Sequence, residues 1–189
     1  MIDIVYPVGT APVLRGAKVT RASEMLPIVE PDGNVVAQAP RSYCHGTHKP
    51  LHPVIHLHIV DRQGSLYLQK RSMTKKLLPG KWDTAVGGHI SYGESVQEAL
   101  FREAGEELGF FDFNPIEIDR YIFESEVDKE LVFVFAAVGN FRLQPDNDEV
   151  SEGKYWTAEE LAAAIGEGVL TPNFELEYSK YKDKLISLL

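Results

Sequence analysis

The chain has 189 residues, 44% of them apolar and 25% charged, one cysteine, and a net charge of −9 from 19 basic and 28 acidic residues. These values exclude a disordered chain, a collagen-like chain and a coiled-coil rod, and a single thiol excludes an internal disulfide framework. The acidic balance argues against duplex binding, which needs a basic face, and no apolar run approaches the ~18 residues of a membrane span. The first ten residues hold no basic stretch followed by an apolar one, so no signal peptide is expected. With the lone cysteine, this favours a cytoplasmic, reduced compartment.

Residues 1–24 carry little signal. Met25 to Gln38 alternates around Asp32-Gly33, a dipeptide suited to a tight turn. Val54 to Val60 and Ser65 to Lys70 read as strands joined by a turn at Asp61–Gly64, and Met73 to Gly80 as a loop. Trp82 to Ile90 reads as a glycine-rich strand. Glu94 to Leu108 reads as a helix stopped by Gly109. Ile116 to Ser125 and Leu131 to Val138 read as two more strands. Thr157-Ala-Glu-Glu160 is a capping box that starts a helix running to about Ile165, and Thr171-Pro172 opens a last helix toward Leu189. The class is α/β. The C-terminal helices are expected to pack on a sheet and carry little chemistry.

The decisive stretch runs from Gly88 to Phe110. Glu103, Glu106 and Glu107 stand at i, i+3 and i+4 of the predicted helix, within an arc of about 100°. Three carboxylates on one face repel each other unless a cation joins them, and clustered carboxylate oxygens suit Mg²⁺ or Mn²⁺. A solvated acidic face is the plain alternative. All six histidines lie between His45 and His89.

Gly88, Glu94, Arg102, Glu103, Glu106, Glu107 and Gly109 are the seven fixed residues of the Nudix box, G-x5-E-x7-R-E-U-x-E-E-x-G-U, and the stretch resembles it in full. Ala104 and Phe110 fill two of its apolar positions. The resemblance implies a Nudix-type α/β/α sandwich with a mixed sheet, the box forming a loop–helix–loop over 88–110. It places one domain over 25–189, after an N-terminal segment 1–24 of open role. It also implies a Mg²⁺- or Mn²⁺-dependent pyrophosphohydrolase, cleaving a P–O–P bond in a nucleoside-diphosphate-linked or other organic diphosphate with water. Glu103, Glu106 and Glu107, with the Gly87 carbonyl, would hold the metal. Glu94 and Arg102 would hold the box together, Arg102 as part of the catalytic set. Glu107, Glu124, Glu126 and Glu130 are the candidates for the proton acceptor, with Glu130 preferred.

Outside the box, residues from about Leu26 to Val138 resemble the isopentenyl-diphosphate isomerase branch of the same superfamily. His45, His52 and His89, with Asp128 and Glu130, match that branch's metal ligands, a set that suits Zn²⁺, Mn²⁺ or Fe²⁺. Arg71, Lys75 and Arg41 match its diphosphate contacts. Two departures oppose isomerase activity. Gly87 stands where isomerases carry a cysteine, and Glu103 stands where they carry a basic residue. His56 and His58 are expected to be structural more than pocket-lining. An isomerase-like enzyme and a non-catalytic diphosphate sensor stay open as alternatives. The expected partner is a small-molecule diphosphate, and a homodimer fits the superfamily's habit.

Overall fold

In the computed structural model, the described residues are 5–8, 24–145 and 150–189, so most of the segment 1–24 lies outside them. In chain order the elements are β1 (Tyr6–Pro7), β2 (Met25–Val29), β3 (Val35–Pro40), α1 (Arg41–Cys44), β4 (His52–Val60), β5 (Leu66–Arg71), β6 (Trp82–Asp83), β7 (Val86–His89), α2 (Val96–Leu108), β8 (Ile116–Glu124), β9 (Lys129–Val138), β10 (Val150–Trp156), α3 (Ala158–Ala164) and α4 (Pro172–Ile186). The class is mixed α/β, as expected. One sheet runs β1-β3-β2. A seven-stranded sheet runs β10-β5-β4-β9-β8, with β6 on β5 and β7 on β4.

The local signals explain most boundaries. Gly33 has φ +92° and donates its N–H to Glu30 O, closing the β2–β3 turn. The Asp61 carboxylate accepts from the N–H groups of Gln63 and Ser65, which shapes the β4–β5 turn. Ser95 and Glu98 cap the start of α2 reciprocally, so the helix begins two residues after Glu94. Gly109 at φ +60° ends it, donating to Gly105 O. Thr157 and Glu160 form the expected capping box, and Thr171 caps α4 with Pro172 at its first position.

Two differences from the sequence reading stand out. Strand β10 was not expected. Its residues Val150 to Trp156 include Ser151, Glu152, Gly153 and Lys154, so no apolar alternation marks it, yet it pairs antiparallel with β5 from Val150↔Arg71 to Trp156↔Leu66. Strand β4 is buried at all nine positions, including His52, His56 and His58.

The chain groups into two compact units. The first takes the described residues up to Ile55, Gly88–Ala99 and Arg120–Phe133; the second takes His56–Gly87, Leu100–Asp119 and Val134–Leu189. In the first, Leu26, Ala39 and Cys44 form a fully buried cluster backed by Val5, Ile28 and Tyr43. In the second, Leu57, Ile59, Leu68, Leu100, Leu108, Leu161, Phe174 and Leu185 are each at most 1% exposed. Among the described residues, no helix is long and apolar enough to cross a membrane.

Candidate active site

The box glutamates belong to the second unit. Helix periodicity sends them to different depths. Glu107 is buried at 6% exposure, while the Glu106 side chain is 56% exposed and that of Glu103 is 14% exposed. Arg102 reaches both shallower carboxylates, at 2.8 Å to Glu103 Oε1 and 3.5 Å to Glu106 Oε2. Arg102 thus links the two shallower carboxylates by charge.

Glu107 is held from two sides. Gln69 Nε2 donates to its Oε2 at 2.9 Å, and the Gly87 N–H donates to the same oxygen at 3.3 Å. Burial, and then the Glu103 charge, push the Glu107 carboxyl up to about 8, against the Gly87 and Gln69 hydrogen bonds and the Lys75 charge. A desolvated carboxylate beside a second one is the environment that a bound cation relieves. The oxygen-rich donor set and this crowding fit Mg²⁺ or Mn²⁺.

The basic residues are placed unequally. Lys75 acts on Glu107 through its charge. Arg71 has its fork engaged: Nε and Nη2 donate to Leu77 O, and Nη1 to Asp83 Oδ2 at 3.1 Å. As placed, Arg71 braces the 72–80 loop that carries Lys75. Arg41, in the first unit, pairs with Glu24 at 3.2 Å.

The first unit brings three predicted ligands together. One nitrogen each from His45, His52 and His89 lies within 4.8 Å of the others. The His52 and His89 rings stack at 9°, and His45 meets both edge-on. His52 Nδ1 lies 2.9 Å from Pro50 O, while its Nε2 is buried without a hydrogen-bond partner. Burial lowers the His52 pKa to about 4, so the ring is neutral at pH 7. An orphaned, neutral imidazole nitrogen facing two others suits Zn²⁺, Mn²⁺ or Fe²⁺.

Asp128 stands behind His45, its Oδ2 3.5 Å from Nδ1. Burial opposes its charge, but hydrogen bonds from His45 and Ser125 outweigh it and hold the carboxyl below its ordinary value. Carboxylates commonly orient metal-binding histidines in this way. The loop is pinned by the Gly46 N–H to Val127 O and by Lys49 Nζ to Ser125 O. Glu130 is buried in β9. Cys44 is also in this unit, buried, with its thiol pushed up to about 12 by desolvation.

Sequence reasoning missed two residues. Gln69 shares the β5 face of Arg71 by strand alternation, a signal that was available. Glu177 in α4 had no local signal. It is fully buried, and its two oxygens lie 2.7 Å from His56 Nδ1 and 2.7 Å from His58 Nε2. His58 Nδ1 is in turn 3.2 Å from Thr84 Oγ1. Helix α4 thus supplies a buried carboxylate to two histidines of β4.

The chain matches the NUDIX domain over residues 50–174. It is 34% identical over 151 residues to the uncharacterized Nudix hydrolase YfcD of Escherichia coli K12, covering 77% of this chain and 81% of that protein. It is 30% identical over 160 residues to an isopentenyl-diphosphate Delta-isomerase of Mycolicibacterium vanbaalenii, covering 78% and 86%. Among solved structures, DR0079 from Deinococcus radiodurans superposes with a TM-score of 0.71 at 23% identity, covering 83% of this chain and 98% of that one. The NUDIX domain of Shewanella oneidensis NrtR, solved with ADP-ribose, gives 0.58 at 16% identity, covering 70% and 87%. The protein belongs to the Nudix family.

Proposed function

We infer that the protein is a divalent-metal-dependent hydrolase of an organic diphosphate, cleaving a P–O–P bond with water. The observation that carries this reading is the complete set of Glu103, Glu106 and Glu107, with Glu107 buried and fixed by Gln69 and Gly87. A divalent cation held by these carboxylates and the Gly87 carbonyl would supply Lewis acidity toward the diphosphate oxygens and the attacking water.

The chain's own groups do the rest. Arg102 tethers Glu103 and Glu106, limiting their mutual repulsion. Lys75, on the loop braced by Arg71, supplies positive charge for the diphosphate. Glu107 is assigned as proton acceptor as well as ligand, being the buried box carboxylate that Gln69 and Gly87 hold in place. Glu130 is assigned to the histidine site of its own unit, with His45, His52, His89 and Asp128, as a second, transition-metal centre.

Relatives named as isomerases favour a second reading, and the histidine trio agrees with it. Gly87 and the buried Cys44 oppose it, since neither offers a reactive thiol. The test is diphosphate turnover with Mg²⁺ or Mn²⁺ across nucleoside triphosphates, ADP-ribose, dinucleoside polyphosphates, CDP-alcohols and isopentenyl diphosphate. Turnover lost in Glu106→Gln and Glu107→Gln is expected. Conversion of isopentenyl diphosphate to its isomer without hydrolysis would overturn the hydrolase reading. Tight binding with no turnover would leave a sensor.

A further inference from the structure

Asp83 is a largely buried carboxylate that the proposed chemistry does not use, and it ties three elements together. Its Oδ2 accepts from Arg71 Nη1 at 3.1 Å. Its Oδ1 accepts from Thr171 Oγ1 at 2.7 Å and from the Thr84 N–H at 2.9 Å. Strand pairing explains the contact with Arg71. Asp83 lies opposite Gln69 in the β5–β6 pair, so Arg71, two residues further along β5, is its diagonal neighbour on the same face. Thr171 is the buried N-cap of α4, and its own N–H donates to Trp82 O at 2.8 Å. The start of α4 thus anchors the carboxylate that meets Arg71.

Arg71 passes this anchoring on to the 72–80 loop. Its Nε and Nη2 both donate to Leu77 O, at 3.2 and 3.1 Å. A planar guanidinium can serve a carbonyl and a carboxylate at once, which a lysine ammonium does not reproduce. Burial does little to hold this loop, since Met73, Leu77 and Leu78 are all exposed, Met73 at 73%. Its backbone bonds, from the Lys75 N–H to Ser72 O and from the Gly80 N–H to Arg71 O, close it on itself and on Arg71. A loop with exposed apolar side chains and polar tethers keeps its place only while the tethers hold. This loop carries Lys75, whose charge is felt at Glu107.

We propose that Asp83 is a positioning residue of the hydrolase site, acting through Arg71 and Leu77 O to hold the loop that presents Lys75 to the diphosphate. This deepens the hydrolase reading and rests on its diphosphate site. It also separates two roles for Arg71. If Arg71 gripped the diphosphate itself, Asp83 would compete with the substrate for its fork, and removing the Asp83 charge would tighten binding. As a brace, Arg71 needs Asp83, and the same change weakens binding. The two roles predict opposite signs.

The experiment uses the full chain, freed of transition metals and supplied with Mg²⁺, which suits the box carboxylates and not the histidine trio. The probe is methylenediphosphonate, a diphosphate that water cannot cleave. Its Kd is read by calorimetry, beside kcat and KM across the substrate panel. Asp83→Asn keeps an oxygen for Thr171 but turns an amide N–H₂ toward Arg71. It is expected to raise Kd and KM about tenfold, within the coupling range of groups in one network, and to leave kcat within about two-fold of the parent. In a Lys75→Gln background the same change should move Kd less than about two-fold, because the residue it positions is gone. A merely structural role for Asp83 would not depend on Lys75. Arg71→Lys in the same two backgrounds should repeat this pattern, and it carries the test if Asp83→Asn does not fold. An Asp83→Asn protein that binds the probe as tightly as the parent, or tighter, would overturn the proposal. So would equal losses with and without Lys75, or a parent that does not bind the probe. A parent that binds it but hydrolyses no member of the panel would overturn the hydrolase reading alone, while the Kd comparison still decides the positioning role.

Discussion

Gln69 Nε2 donates to Glu107 Oε2 at 2.9 Å, with both side chains buried. The two residues sit 38 positions apart, on β5 and α2. Removing the amide leaves that oxygen only the longer bond from Gly87. Gln69→Leu is therefore expected to destabilise the protein by about 1–3 kcal/mol, the cost of a buried acceptor losing its partner. Urea denaturation measures it. A change below about 0.5 kcal/mol, the level of an ordinary surface substitution, would mean that the bond does not matter.

Glu107 makes stability fall as pH rises from about 4.5 to about 8. Its folded pKa, about 8, lies above the ordinary 4.5, so the folded protein holds an extra proton between those values and loses stability as pH rises through them. His52 acts in the opposite sense, stability rising from pH 4 to 6.5 as its burial disfavours the charged ring. Glu177, held low, loses its contribution only as pH falls below about 4.5. Between pH 6.5 and 8, Glu107 is left alone among these three. Metal-free protein is expected to lose about 2 kcal/mol across that window. Denaturation midpoints at several pH values test this, and Glu107→Gln should flatten the curve.

Two glycines predict opposite outcomes. Gly153 of β10 lies against the Tyr67 hydroxyl, and a methyl group there would overlap it. Gly153→Ala is expected to cost about 1–3 kcal/mol through forced repacking. At Gly87 a methyl group would meet His56 only at 3.4 Å, ordinary van der Waals contact, so Gly87→Ala should fold within about 0.5 kcal/mol of the parent. Paired thermal melts decide it, and equal effects would refute the contrast.

The histidine trio should bind a transition metal independently of the box. Zn²⁺ at 100 times its dissociation constant is expected to stabilise the fold by about 2.7 kcal/mol. His52→Ala should abolish that gain, while Glu107→Gln should keep it. Loss of the Zn²⁺ effect in Glu107→Gln alone would place the metal at the carboxylates.

Much of this protein was legible along the chain because the relevant relationships are short. Glu103, Glu106 and Glu107 share a helix face by spacing alone, and Thr157 with Glu160, Thr171 with Pro172, and Gly109 mark helix ends through bonds within a turn or two. The box also carried the family. Strand β10 was hidden because an edge strand rich in polar residues is set by its partner β5, not by its own pattern. Tertiary structure alone decided that Gln69 meets Glu107, that Arg71 braces its loop, and that Glu177 meets His56 across 121 residues. Such pairs form because a buried polar group must find a partner somewhere in the fold, and no local periodicity encodes which one it finds.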